Sequence, residues 1–208
     1  MRFILGFFLV MGISASANAD LLSYRFDSDA EGWRRADFNS TTLVLTDLGG
    51  ATWNSGGYID GDDFSSWAFH LSPTLNLDFT TATKIEFDYS SIASDNAYPF
   101  LVLASSAAAI YQVATVPADG QFHHYSYDFA PGTWQYSDGV NFRAATSADM
   151  SSVLSNVVRI GVNADQISGT DYTRLDNVVV VPEPTSIAVL GFGLFGLYKR
   201  RQKSKDAV

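Results

Sequence analysis

The chain has no cysteine. That excludes disulfides, thiol nucleophiles, iron–sulfur clusters and thiolate zinc sites, so an exported domain of this sequence must be held by its core, with at most a bound ion to assist. Glutamate is scarce too: between residues 20 and 181 only Glu31 and Glu86 occur, against eighteen aspartates. Aspartate favours turns, caps and oxygen-ligand sites where glutamate favours helices, so loops and strands are expected. Positive charge is low in the same segment, seven Lys/Arg against twenty Asp/Glu, a formal charge of 7 − 20 = −13. A field of that sign repels nucleic acid and anionic lipid, and neither is an expected partner of the domain.

The two ends differ from this middle. Residues 1–19 have the pattern of a secretory signal peptide: Arg2, an apolar stretch at 3–13 (FILGFFLVMGI) too short to span a bilayer, and the small-x-small site Ala17-Asn18-Ala19. The mature chain is expected to start at Asp20. The segment from 20 to 181 is the right size for one domain. Beyond it, Pro182 and Pro184 disfavour helix before them and keep the connection extended. Residues 185–198 carry no formal charge over fourteen positions, about 21 Å as a helix against roughly 30 Å of hydrocarbon, which suits a transient stop better than a lasting anchor. Lys199, Arg200, Arg201, Lys203 and Lys205 then place the C-terminus in the cytoplasm and the domain outside it. Gly191, Gly193 and Gly196 satisfy the dinucleotide-binding spacing G-x-G-x-x-G, but Pro182 and Pro184 interrupt the required strand-to-helix turn and no acidic residue follows at the needed distance.

In the middle, β-branched and aromatic stretches recur at short spacing: 21–26, 41–47, 67–71, 83–91, 98–104, 109–115, 121–129, 157–163 and 172–180. Turn chemistry separates them, at Gly49-Gly50, Gly56-Gly57, Asp60-Gly61, Asp119-Gly120, Asp138-Gly139 and Ser168-Gly169. Ile85, Phe87 and Tyr89 alternate with Glu86, Asp88 and Ser90, the pattern of a half-buried strand. One short helix is expected over 147–155, with Ser147 as its N-cap. The resulting class is all-β, an antiparallel two-sheet sandwich with one short helix.

The segments FDSDAEGW (26–33), GGYIDGDDFSSWAFHLSPTLNLDFTTATKIEFDY (56–89) and RLDNVVV (174–180) resemble the laminin B (domain IV) type of jelly-roll. They are also similar in outline to carbohydrate-binding modules with a galactose-binding-like fold. The tail VPEPTSIAVLGFGLFGLYKRRQ resembles a PEP-CTERM sorting signal, with Pro182, Glu183 and Pro184 as the triplet and Arg200 and Arg201 in the basic end. That resemblance implies processing by an exosortase at the inner membrane of an exopolysaccharide-producing Gram-negative bacterium, with transient membrane insertion and delivery to the cell surface or matrix.

Among candidate sites, Asp27, Asp29 and Glu31 alternate before Gly32 like oxygen ligands in a calcium loop, although the EF-hand spacing fails at Phe38. Resemblance to galactose-binding-like modules adds Asp176, and so implies a structural calcium held by Asp27 and Asp176; caps of ordinary turns explain the same acids. Asp60, Asp62 and Asp63 form a second, weaker cluster. Glu86-x-Asp88 resembles the start of the E-x-D-x-x-E strand of jelly-roll β-glucanases, but position 91 is Ser, and a solvated strand face accounts for both carboxylates. No G-x-S-x-G elbow is present, and His123 and His124 point to opposite faces of a strand. No catalytic residue is therefore assigned. Trp67 alternates with Phe69 and Leu71 and reads as core. Trp53 and Tyr58 flank a Gly-rich loop, and Trp134 and Tyr136 lie between turns, so these four are the candidates for stacking on sugar rings, with edge packing as the alternative. The expected function is non-catalytic binding of extracellular polysaccharide; the alternatives are an adhesive matrix protein binding other proteins, or a divergent glycoside hydrolase or lyase.

Overall fold

A computed structural model describes residues 19–39, 44–62, 67–94, 98–167 and 169–183. The expected signal peptide, the apolar segment 185–198, Asp63, Pro184, Arg200 and Arg201 lie outside the described residues. Fourteen strands and one helix follow in order: β1 Leu22–Tyr24, β2 Arg34–Asn39, β3 Val44–Gly50, β4 Thr52–Asn54, β5 Tyr58–Asp62, β6 Ala68–Leu71, β7 Ala82–Ser91, β8 Tyr98–Ala104, β9 Ala109–Ala114, β10 His123–Asp128, β11 Gln135–Ser137, β12 Phe142–Ala144, α1 Ser147–Leu154, β13 Arg159–Asn163 and β14 Tyr172–Pro182. Every pairing between them is antiparallel. One sheet runs β10-β7-β14-β5-β4 with β1 also paired to β14, and the other runs β12-β11-β9-β8-β13-β6-β2-β3. The all-β two-sheet sandwich expected from the sequence is the fold observed.

The alternation in β7 works as expected: Ile85, Phe87 and Tyr89 are buried in the main core, while Glu86 and Asp88 face outward. Facing them from the second sheet are Leu101, Leu103, Ile110, Ile160 and Val162. A register shift between Pro99 and Leu101 lets Phe100 join the same core as Leu101, because a bulge turns two successive side chains to one side. The eight-stranded sheet buries its other face as well. Phe38, Phe69, Leu71, Val102 and Ala109 form a second apolar cluster there, with Trp67 and Tyr111 at its margin. Gly161 of β13 leaves room beneath this cluster, since a Cβ at that position would press on Leu45 and Phe69 of the same sheet.

This double burial changes the reading of β6. Phe69 and Leu71 are buried as expected, but in the second cluster, and the face of β6 toward the other sheet carries His70. His70 Nε2 lies 3.4 Å from Thr173 Oγ1, and neighbouring Gln166 donates to Tyr89 Oη at 3.1 Å and to Asn163 Oδ1 at 3.2 Å. These side chains are all buried, so hydrogen bonds rather than apolar contact join the sheets at this end. Asp60-Gly61 is not a turn: both residues lie within β5, and Gly61 is required there because a Cβ would overlap Thr173 Oγ1 and crowd His70 and Ala164.

The helix N-cap is Thr146, one residue before the expected Ser147. Thr146 Oγ1 accepts from the Asp149 backbone N–H while the Asp149 carboxylate accepts from the Thr146 N–H, a reciprocal capping box that Ser147 cannot form at its spacing. The folded unit extends from Asp20 to Glu183, past the expected boundary at 181, because β14 continues through Pro182 and the Glu183 N–H donates to Thr81 O at 2.9 Å.

Candidate functional site

On β14, Thr173 and Leu175 point into the core, so Tyr172, Arg174 and Asp176 project from the outer face. Strand pairing sets their neighbours. Arg174 lies opposite Asp60 of β5 and Ser90 of β7, and Asp176 lies opposite Asp88 of β7, which in turn lies opposite His124 of β10. At one end of this face three aromatic rings collect. The Arg174 guanidinium stands 5.4 Å from the Tyr58 ring centroid and 5.3 Å from that of Tyr172, within range of cation–π attraction. Phe122, 40% exposed, meets Tyr58 edge-on at 5.7 Å. Asp60 accepts from Tyr172 Oη and, at 3.2 Å, from Asn54 Nδ2, which fixes the floor of the patch. Burial, and secondly the bond to Asp60, push the Tyr172 phenol up to about 12, so it remains a donor.

At the other end the face is acidic. Asn177 occupies a left-handed backbone conformation, φ 51°, at a bulge in β14. Its side-chain amide donates to Asp88 at 2.8 Å and to Asp176 at 3.1 Å, tying the two facing carboxylates together. Asp176 is pushed up to about 6, first by burial and then by Asp88, Asp27 and Glu31 nearby. Asp88 also meets His124 Nδ1 at 2.9 Å, and that bond raises the imidazole above its ordinary value against the opposing effect of burial. Burial pushes Glu86 up, but bonds from Lys84 and Ser126 outweigh it and leave its carboxyl low. A solvated, internally paired strand face accounts for Glu86 and Asp88. His123 points away from His124 and meets Asp119 at 3.0 Å, so the two histidines serve separate partners.

The loop carrying Asp27, Asp29 and Glu31 is built on two positive-φ residues, Phe26 and Glu31, followed by Gly32. One Glu31 carboxylate oxygen accepts from the Arg25 and Phe26 N–H groups, and Asp29 accepts from the Glu31 N–H at 2.6 Å. Asp29 and Glu31 therefore close the turn that seats Phe26 and Trp33 in the core. Among the described residues, no three His, Asp or Glu side chains converge as a ligand set for a metal ion.

The four sugar-stacking candidates separate. Trp134 is 0% exposed, donates Nε1–H to Asp128 O at 2.8 Å and packs against Phe129, so it offers no ring face to a ligand. The loop position suggested exposure, but the indole belongs to the main core, against Tyr127 and Phe129. Tyr136 is half-buried, with Arg143 4.5 Å from its ring centroid. Trp53, 37% exposed, is held by an Nε1–H bond to Phe26 O, and Tyr58 belongs to the aromatic patch above. Sequence reasoning missed Phe122, Tyr172, Arg174 and Asn177. The last three stand two or three residues apart on one strand, and the Asp-Asn pair was the available bulge signal.

Residues 61–181 match the family laminin B (domain IV), more than half of the chain, and the chain belongs to that family. Residues 180–202 match the PEP-CTERM protein-sorting motif, which marks the chain for export and for processing by an exosortase at the membrane. Among solved structures, the L4b domain of human laminin alpha-2 is similar at 14% identity and TM-score 0.57, over 78% of this chain and 97% of that one. An agarase, AgWH50C, is similar at 11% identity and TM-score 0.52, over 80% of this chain but 24% of the enzyme. Both likenesses concern the fold. No curated protein matches the chain.

Proposed function

We propose that the sandwich is a non-catalytic glycan-binding domain, carried to the cell surface or into the extracellular polysaccharide. The observation that carries this reading is the patch of Tyr58, Tyr172 and Phe122 around Arg174, beside the fixed carboxylate of Asp60. Sugar recognition needs apolar ring faces next to oriented polar groups, and this is where the outer face supplies both. Tyr58→Ala is expected to weaken retention on the preferred polysaccharide about tenfold, a loss of about 1.4 kcal/mol, without changing the melting midpoint by more than a few degrees. Affinity electrophoresis against a panel of neutral and acidic polysaccharides reads this; if wild-type protein migrates unretarded through all of them, the glycan reading fails. An adhesive, protein-contacting role is the second reading, favoured by Val140 and Phe142, 84% and 52% exposed at the β11–β12 hairpin on the sheet edge.

A structural calcium ion that draws Asp27, Asp29, Glu31 and Asp176 together is a further part of the proposal; the four carboxylates do not form a ligand set as they stand, and Asp29 and Glu31 would exchange their turn bonds for the ion. It draws support from the facing pair Asp88 and Asp176 and from the way Asp27 and Glu31 raise the proton affinity of Asp176, since a cation can relieve the same repulsion. Calcium at about a hundredfold excess over its Kd is expected to raise the melting midpoint by roughly 5–10 °C over EDTA at pH 7, and Asp176→Asn to abolish the difference. Identical midpoints with and without EDTA remove the ion from the proposal.

A further inference from the structure

The sorting motif and the folded domain overlap. The match to the motif begins at residue 180, yet Val180 is fully buried and sits in register with Leu22 on one side and Ile85 on the other. The overlap continues outward. Val181 O accepts from Thr83 Oγ1 at 3.2 Å, Pro182 pairs with Ala82, and the Glu183 N–H donates to Thr81 O. Glu183, the last described residue, is itself exposed.

From this overlap we infer that the folded sheet sets the upstream limit of processing: the cut falls beyond Glu183, and the mature protein keeps β14 whole with Pro184 or a later residue at its end. The inference rests on the exosortase reading of the tail. Proteolysis selects exposed, unpaired backbone, and a paired segment is cut only from a locally opened state. Opening Val180 to Glu183 breaks the pairing with β7 and β1 and exposes Val180 to water. β14 carries three neighbours, β1, β5 and β7, so its end is tied into the centre of the sheet rather than an edge. The alternative, cleavage within the first residues of the motif, requires that opening in every molecule processed. In the step itself one peptide C–N bond breaks. The acyl carbon takes the hydroxyl of water, or the nitrogen of an accepting amine in a transfer, and the released amine takes the proton.

Mass spectrometry of the C-terminal peptide from the exported full-length protein tests the position. A terminal residue at 184 or later, free or joined to an acceptor, is the expected result, and a terminus at Glu183 or earlier overturns the inference while leaving processing intact. A chain still ending at Val208 overturns processing itself and this inference with it. A second measurement uses a full-length variant with four Gly/Ser residues inserted between Glu183 and Pro184. If the sheet is the limit, the cut stays downstream of Glu183, within the insert or beyond it, and the processed fraction does not fall. If the terminus in this variant is Glu183 or an earlier residue, the inference is wrong. Hydrogen exchange on the unprocessed chain adds the physical check that the Glu183 amide is protected at least tenfold over an unstructured peptide.

Discussion

Trp134→Ala lowers the stability of the domain by about 3–5 kcal/mol, the cost of a large cavity in a core that cannot collapse to fill it. The indole is sealed by Tyr127 and Phe129, with ring centroids 6.3 and 5.7 Å away, and its N–H satisfies the Asp128 carbonyl. Alanine removes the packing and leaves that carbonyl without its donor, so two costs add. Urea denaturation reads the change as a lower midpoint at constant slope. Trp53→Ala is the control: its ring is partly exposed on an edge strand, and its loss is expected to cost less than half as much. Equal costs for the two, or a Trp134 loss under about 1 kcal/mol, contradict the burial assigned to Trp134.

The second large effect is acid sensitivity centred on His70. Burial depresses its imidazole to about 3 in the folded state, against 6.5 for an unperturbed one, so folded protein holds it neutral. The unfolded chain binds a proton at this position below pH 6.5 while the folded chain does not. Stability is therefore fully present above pH 6.5 and falls as pH drops toward 3, at about 1.4 kcal/mol per pH unit. Asp176 acts in the opposite sense: raised to about 6, it takes up a proton earlier in the folded state and adds stability as pH falls from 6 toward 3.8. Asp176 is only half-buried, whereas His70 is fully buried, so the histidine dominates the slope. Unfolding midpoints at pH 7, 5.5 and 4.5 are expected to fall steadily in wild type and much less in His70→Gln. A direct reading on native protein is the His70 C2–H resonance, which stays at the neutral position down to pH 4. Titration of that resonance near pH 6.5 in folded protein overturns the assignment.

Which elements were legible follows from what each strand buries. All nine apolar stretches contain a strand, because each presents at least one face to a core. The five remaining strands, β2, β4, β5, β11 and β12, were not legible. β2 reads RRADFN and β5 reads YIDGD, with charges and a glycine where strand formers are expected. Sheet neighbours, not local preference, make them strands. The turns at Gly56-Gly57 and Asp138-Gly139 were read correctly, but as loops rather than as the tips of the β4–β5 and β11–β12 hairpins, whose arms are three to five residues long. For the site, the chemistry of aromatic stacking was legible and its location only in part. Tyr58 belongs to the patch, while Trp134 does not, since alternation along a short hairpin arm does not reveal which side the main sheet covers. Tyr172 and Arg174 gain their meaning from Tyr58 and Asp60, more than a hundred residues earlier in the chain.

The order of strands in the six-stranded sheet also bears on when the fold can form. Its central strand, β14, is the last to be synthesised, and its partners include β1 near the start of the domain. Contacts that span nearly the whole domain are slow to close. Until residues 172–182 are available, β1 and β5 have no central strand to join and β7 has only β10 beside it, so the six-stranded sheet cannot be completed. Completion of the sheet thus needs the same residues with which the sorting motif begins, so the last strand to close the fold is also the first part of the address.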